Sequence, residues 1–349
     1  MAQAREKIGM AIYGYGELGK STLDELGRHL EFSENVEARV IFSNRADGIR
    51  EKVQKVCARR GIPMPELLGY DQLERVAAEG NIDVLAYCGD SKDGYLPAAR
   101  KLAKLFPCLV DTFDDHPIFV NVKEELDAIA KANGSTIIMG HGWSPGLLSD
   151  IVMLIKNNLP GCNAITAYGH DLGGGSRGHR DAILGVGGVL DAVSVTTFDF
   201  GVVEAFTKGE KDKVTSQDLH LRTNYVALKE GIDPDTVKKS IATMERYFAG
   251  FRVETNIVSL DQIAILKETY KRHSGKIVAR RPEEDGQATT MSFEMFTPSN
   301  TMMTAGILLG GAIAADKMHK EGKTGAFVSA QASITDQSRK SDAEQIKGY

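Results

Sequence analysis

The chain has 349 residues, of which 42% are hydrophobic and 26% charged, with a net charge of -5; that balance suits about two soluble domains with substantial cores. It excludes a nucleic-acid partner read by a concentrated basic face, and no apolar run approaches the roughly 20 residues that span a bilayer. The start, Met1 to Lys7, lacks the apolar core of a signal peptide, and the four cysteines, Cys57, Cys88, Cys108 and Cys162, form no Cys-x-x-Cys pair, so a cytoplasmic protein with buried, reduced thiols is expected.

The first strand-like run, Ile8 to Tyr13, leads directly into Gly14-Tyr15-Gly16-Glu17-Leu18-Gly19. At a strand-to-helix turn, Gly-x-Gly-x-x-Gly serves a dinucleotide: one glycine turns the chain, one admits a pyrophosphate, one lets helix and strand approach. Three glycines also make simple turns, so the next strand decides. That strand, Ala38 to Phe42, ends in Ser43-Asn44-Arg45. An acidic residue there would bind both ribose hydroxyls of NAD and repel a 2′-phosphate; hydroxyl, amide and guanidinium groups hold that phosphate instead. NADP is therefore the expected cofactor, although Arg45 alone would also serve as a solvated surface arginine.

Helix-forming Arg50 to Arg60, Gly61 to Pro65 and Tyr70 to Ala78 read as an elaborated crossover. Then follow a strand at Val84 to Cys88, a helix at Leu96 to Leu105, a strand at Cys108 to Val110, a helix at Val122 to Ala132 and a strand at Thr136 to Met139. Such alternation predicts a parallel sheet with helices on both faces, an α/β fold of Rossmann-type doubly wound form. After the irregular loop Gly140 to Gly146, Val- and Thr-rich runs at Ala192 to Phe200 and Leu221 to Leu228 favour a mostly antiparallel sheet in a second, α+β domain. Gly173 to Gly178 reads as a mobile segment or a ligand loop, Met302 to Met318 as a buried helix, and Gln331 to Tyr349 as a loose polar tail. The expected division is a dinucleotide-binding domain over 1–120 with 299–330 packing back onto it, a substrate-binding and dimerisation domain over 121–298, and a tail over 331–349. There is no internal repeat.

Several motifs together resemble the NADP-dependent meso-diaminopimelate dehydrogenase family of lysine biosynthesis. They are Gly14 to Gly19 with Ser43-Asn44-Arg45, Val110-Asp111-Thr112-Phe113-Asp114-Asp115-His116, Gly142-Trp143-Ser144-Pro145-Gly146, Gly178-His179-Arg180-Asp181-Ala182, His220-Leu221-Arg222, Tyr247-Phe248 and Gly325-Ala326-Phe327. The resemblance implies a homodimer that deaminates the D-centre of a diamino diacid oxidatively and reversibly, with ammonia and NADPH in the reverse direction. A hydride leaves the α-carbon only when a neutral amine can push it out, so the protein must hold the amine, accept protons and anchor two carboxylates.

By that resemblance Asp114 contacts the amine and helps take its proton, with Asp111 as the competing choice and capping of the next element as the structural alternative for Asp114. The second amine-binding aspartate of the family falls on Ser144, which accepts a hydrogen bond but carries no charge; Asp150 is close enough in sequence to be considered as compensation. Trp143 belongs to the same loop. Arg222 matches the carboxylate-binding arginine, and His273, Asn300 and Thr196 fall where further substrate ligands lie, though the glycine-flanked segment around His273 fits a surface histidine equally well. Tyr168-Gly169-His170-Asp171-Leu172 departs from the family's Trp-Gly-Pro-Gly, with a short insertion through Gly175. Cofactor contacts are expected from Gly14, Tyr15, Gly16, Glu17, Leu18, Ser43, Asn44, Arg45, Cys88, Gly89, Asp90, Ser91, Asp111 and Thr112.

Three other readings compete. A sibling NADP-dependent amine or amino-acid dehydrogenase, acting on 2,4-diaminopentanoate or another D-amino acid, fits the loss of charge at Ser144. A metal site is suggested by His170, Asp171, His179 and Asp181, but a glycine loop of polar residues is more often a substrate contact, and no metal is expected. A non-catalytic NADP sensor would lack amine-site polarity, which Asp114, Ser144 and Arg222 supply.

Overall fold

A computed structural model describes residues 6–90, 94–169, 174–245, 247–270, 272–284 and 286–347. In chain order its strands are β1 (Ile8–Tyr13), β2 (Val36–Phe42), β3 (Glu66–Leu68), β4 (Val84–Tyr87), β5 (Cys108–Asp111), β6 (Thr136–Met139), β7 (Asn163–Tyr168), β8 (Gly174–Gly175), β9 (Val189–Phe198), β10 (His220–Leu228), β11 (Arg252–Ile257), β12 (His273–Pro282), β13 (Ala288–Thr297) and β14 (Gly325–Val328). The chain divides into two compact units, Met1–Asp150 with Thr301–Tyr349, and Ile151–Asn300.

The first unit holds a seven-stranded parallel sheet in the order β14-β6-β5-β4-β1-β2-β3. Side chains alternate across a strand, so Ile8, Met10 and Ile12 of β1 pack with Leu23, Leu26, Val53 and Leu308 on one face, while Ala11 packs with Leu85, Tyr95, Leu102 and Leu126 on the other. Helices Glu17–Arg28, Ala46–Arg60 and Asn300–Lys320 cover the first face; Leu73–Glu79, Tyr95–Leu105 and Phe119–Asn133 cover the second. The sheet is thus doubly wound, and the strand order reverses between β4 and β1, whose carboxyl ends flank the crevice where such sheets bind ligands.

The second unit has a four-stranded sheet, β11-β10-β9-β8, and a three-stranded antiparallel sheet, β13-β12-β7. Within the four-stranded sheet β9 is antiparallel to both neighbours and β10 is parallel to β11. Ile165, Ala167, Phe198, Val203, Phe206 and Val278 form one core; Ile183, Ala192, Val226, Ile241 and Phe248 form another.

Some expectations change. Phe119–Asn133 and β6 complete the first sheet, so the unit boundary falls at Asp150 rather than 120. Gln331 onward is not a loose tail over its described length: Lys317 pairs with the buried Asp336 at 2.8 Å, and Ser338 Oγ donates to Glu31 at 2.8 Å. Gly174 and Gly175 add an edge strand to β9, and Ser176 caps the helix Arg177–Leu184 by accepting from the His179 N–H. Cys57, Cys88 and Cys108 are buried as expected, but Cys162 is only half-buried; all four are free thiols.

Candidate active site

The chain leaves β1 at Gly14, with a φ of 96°, and enters the helix Glu17–Arg28 through Gly16, with no side chain capping its first N–H groups. A Cβ on Gly19 would come within 2.1 Å of the Gly14 carbonyl oxygen, so only glycine lets the helix sit this close to the turn. A helix N-terminus with free N–H groups at a tight glycine turn is an anion cradle, and a dinucleotide pyrophosphate fits it. The Gly14 N–H donates to the Phe42 carbonyl at 2.9 Å, which sets Ser43-Asn44-Arg45 beside this turn. Ser43 Oγ accepts from the Arg45 N–H at 3.1 Å; Asn44 and Arg45 are exposed. Glu17 is exposed and Leu18 half-buried.

The other wall follows β4. Cys88 is buried, its Sγ lies 3.6 Å from Thr22 Oγ1 and burial pushes its thiol up to about 12, so only its backbone faces the crevice. Gly89 and Asp90 are exposed; Ser91 lies outside the described residues, as do His170 and Asp171. The Tyr15 hydroxyl is buried without a hydrogen-bond partner among the described residues, and burial raises it to about 12.

Asp111 differs from its expected role. It is fully buried, and its carboxylate accepts from the N–H groups of Phe113 and Gly140, both at 2.9 Å, and from the Tyr95 hydroxyl. Desolvation pushes the carboxyl up to about 6 against those bonds. It therefore braces two loops and presents no charge to a ligand. Thr112 is half-buried and Asp114 exposed at the loop following β5, where a carboxylate can meet an amine.

The second loop is built from glycines. Gly140 has a φ of 62°, Gly146 one of 121°, and a Cβ on Gly146 would lie 2.0 Å from the Gly142 carbonyl oxygen. The loop turns through a cis Ser144–Pro145 peptide, with Trp143 buried and Ser144 half-buried. Asp150, considered as a replacement for the missing charge at Ser144, accepts from Ser329 Oγ at 2.5 Å instead.

In the second unit Arg222 and Thr196 are register partners across β10 and β9, so they share a face. The Arg222 guanidinium lies over the Phe251 ring at 3.4 Å and the Phe248 ring at 5.8 Å. Its Nε has no hydrogen-bond partner among the described residues, and burial lowers it to about 10. Burial holds His179 down at about 3, with Arg222 and His273 adding to the effect; it lowers His220 and His273 to about 4. His273 opens β12, so it is neither in a loop nor a solvated surface residue. The Tyr168 N–H donates to His220 Nε2 at 3.1 Å. A cation with no ion-pair partner among the described residues, set among neutral imidazoles and aromatic rings, is suited to a carboxylate. Asn300 begins the helix Asn300–Lys320 and is half-buried.

His179, named in the sequence as part of a motif and as a candidate metal ligand, lies instead beside Arg222 and His273, and Ser194 and Asn224 carried no motif. Ser194 and Asn224 are register partners one step along from Thr196 and Arg222, and their polar side-chain atoms are buried without partners among the described residues. The period-2 alternation of both strands was the available signal. Among the described residues no group of three or more His, Cys, Asp or Glu side chains is assembled to hold a metal ion, and no helix is long and apolar enough to cross a membrane.

A Rossmann-type doubly wound sheet with a glycine turn at its switch point, and a second unit bearing a half-buried arginine, fit the class of oxidoreductases. Residues 142–298 match the diaminopimelic acid dehydrogenase C-terminal domain family. The chain is 31% identical over 326 residues to the meso-diaminopimelate D-dehydrogenase of Acetivibrio thermocellus, covering 92% of this chain and 91% of that one. It is similar to a mutant meso-diaminopimelate dehydrogenase from Clostridium tetani solved with DAP, at 26% identity and a TM-score of 0.83 over 98% and 99% of the two chains. An engineered D-amino acid dehydrogenase bound to NADP+ shares the fold, with a TM-score of 0.82 at 23% identity over 98% and 99%. The chain belongs to the meso-diaminopimelate D-dehydrogenase family and is an amino-acid dehydrogenase acting on a CH–NH2 group.

Proposed function

We propose that the protein deaminates meso-2,6-diaminopimelate oxidatively at its D-centre, giving a keto acid and ammonia, and runs reversibly as a reductive amination. The observation that carries this reading is Arg222, half-buried over Phe251 with its Nε unpartnered among the described residues. A substrate carboxylate supplies the missing charge and takes a bidentate pair of hydrogen bonds. Thr196, His273 and Asn300 contribute further polar contacts at that end, with Tyr168 as an aromatic wall.

NADP is the proposed cofactor, held at Gly14 to Leu18, Ser43-Asn44-Arg45, the backbone of Cys88 to Asp90, and Thr112. No acidic side chain occupies the ribose position, and the engineered neighbour is bound to NADP+. When bound, it would accept the hydride from the α-carbon. Asp114 accepts a hydrogen bond from the amine and takes its proton, Ser144 accepts a second bond, and Trp143 excludes water from the amine end. The first unit is then the dinucleotide-binding domain, the second the substrate-binding and dimerisation domain.

A homodimer accords with exposed apolar side chains in the second unit, Met291 and Phe296 among them. A cytoplasmic place in lysine biosynthesis accords with four free thiols. The second reading, a sibling dehydrogenase for another amine, is favoured by the uncharged Ser144. Following NADPH absorbance with meso-diaminopimelate, 2,4-diaminopentanoate and simple D-amino acids separates the two. Preferred turnover of diaminopimelate supports the first; no turnover of it, with activity on another amine, overturns it.

A further inference from the structure

The loop that carries Trp143 and Ser144 contains a second histidine-centred arrangement with no part in the chemistry above. The His141 N–H donates to the Asp111 carbonyl at 2.7 Å, which fixes its backbone. Its ring is 1% exposed, and Nδ1 lies 2.7 Å from Ser329 Oγ, just beyond β14. Ser329, itself 4% exposed, donates to Asp150 Oδ2 at 2.5 Å. On the opposite edge of the ring a Cβ on Gly311 would come within 2.3 Å of Cδ2, so the helix Asn300–Lys320 leaves room for the imidazole only because glycine stands there.

With Asp150 ionised the proton count in this chain has one solution; burial raises that carboxyl, and the hydrogen bond from Ser329 opposes the rise. A serine hydroxyl has a single proton, and here it goes to the Asp150 carboxylate. Only lone pairs of Ser329 then face His141, so Nδ1 must be the donor. Burial holds the imidazole neutral, down at about 4, which leaves Nε2 unprotonated and, among the described residues, without a hydrogen-bond partner.

We propose that His141, Ser329 and Asp150 form a directional relay that makes His141 a positioning residue: it pins the Gly140 to Gly146 loop as the Nδ1–H tautomer. The same relay holds the Asp150 carboxylate on Ser329, so it does not restore the charge that Ser144 lacks. The functional part rests on reading Trp143 and Ser144 as the amine end; the tautomer does not.

Two measurements on the full-length protein test this. Long-range 15N–1H spectra of labelled protein at neutral pH, assigned with His141→Asn, read the tautomer directly. A protonated Nδ1 with a bare Nε2 supports the relay; an Nε2–H tautomer, a fast mixture of the two or an imidazolium overturns it, whatever the substrate is. In the second, His141→Leu removes the donor, whereas His141→Asn keeps an N–H where Nδ1 stood. Loss of loop placement should lower kcat/KM for the diamino acid roughly ten- to a hundredfold in His141→Leu, with KM for NADPH changed less than about twofold, and His141→Asn should recover most of the loss. Equal impairment of both variants, or of neither, overturns the positioning role. If diaminopimelate is not a substrate, the same comparison is made on the amine that is turned over. His141→Leu that fails to fold still leaves the tautomer and the activity of His141→Asn relative to wild type, and tenfold impairment of His141→Asn would refute the relay.

Discussion

Asp111 Oδ1 lies 2.9 Å from the Gly140 N–H, so a carboxylate at the end of β5 holds the start of the loop that follows β6. The same oxygen accepts from Phe113, one residue before Asp114. One buried side chain thus sets the spacing between Asp114 and the Trp143–Ser144 loop. Because burial raises the carboxyl to about 6, above an unfolded value of about 3.9, the folded state binds the extra proton between those values. This contribution is present below the lower value, is lost as pH rises through the upper one, and amounts to about 3 kcal/mol.

The expected outcome for Asp111→Asn is therefore a change in slope. Denaturant unfolding of wild type minus variant should show the difference falling between about pH 4 and 6 and level above that. A pH-independent difference would show that the Asp111 carboxyl titrates alike in the folded and unfolded states, and a difference rising with pH that its pKa is lowered in the fold.

The doubly wound sheet was legible because its cause is local: β1 alternates, helices separate the strands, and glycines mark the first turn. β3 was missed because its three residues carry no period, and the hairpin of β12 and β13 because its outer strand is largely exposed, which removes the apolar alternation. Site residues followed the same division. Gly19 and Arg222 were singled out from motif and resemblance, but the burial of Asp111 and the capture of Asp150 by Ser329 depend on residues distant in sequence, Gly140 and Ser329, that no spacing connects.

Arg45 carries the cofactor prediction. It is exposed beside the Gly14 turn and its backbone is held by Ser43, so a 2′-phosphate is the charge it would meet. Arg45→Ala should raise KM for NADP roughly ten- to a hundredfold, the loss expected of charge-assisted hydrogen bonds, and change that for NAD by less than about twofold. Equal effects on both cofactors refute the assignment.

At Arg222 stability and function should oppose each other. A half-buried cation lowered to about 10 by desolvation destabilises the empty pocket, and a carboxylate relieves that on binding. Arg222→Leu should raise Tm by roughly 2–4 °C in calorimetry. It should also lower kcat/KM for diaminopimelate by roughly 30- to 1000-fold, since truncating one member of a buried charge pair leaves the other unpaired. A fall in Tm, or unchanged kinetics, contradicts this account.

Ser144 offers the sharpest test of the amine end. Hydride departure needs a neutral amine, and every carboxylate beside that amine favours its ammonium form and raises its pKa. In this chain Asp114 is exposed on one loop, Ser144 is uncharged, and Asp150 is hydrogen-bonded to Ser329. Ser144→Asp adds a carboxylate within the glycine-shaped loop. The ammonium is then bound more tightly but deprotonates at higher pH, so KM should fall at neutral pH while the acid limb of kcat moves up by about one pH unit. Pre-steady-state hydride transfer followed across pH 6 to 10 separates this from a change in product release, and an acid limb that stays put or moves down would remove the amine from contact with residue 144.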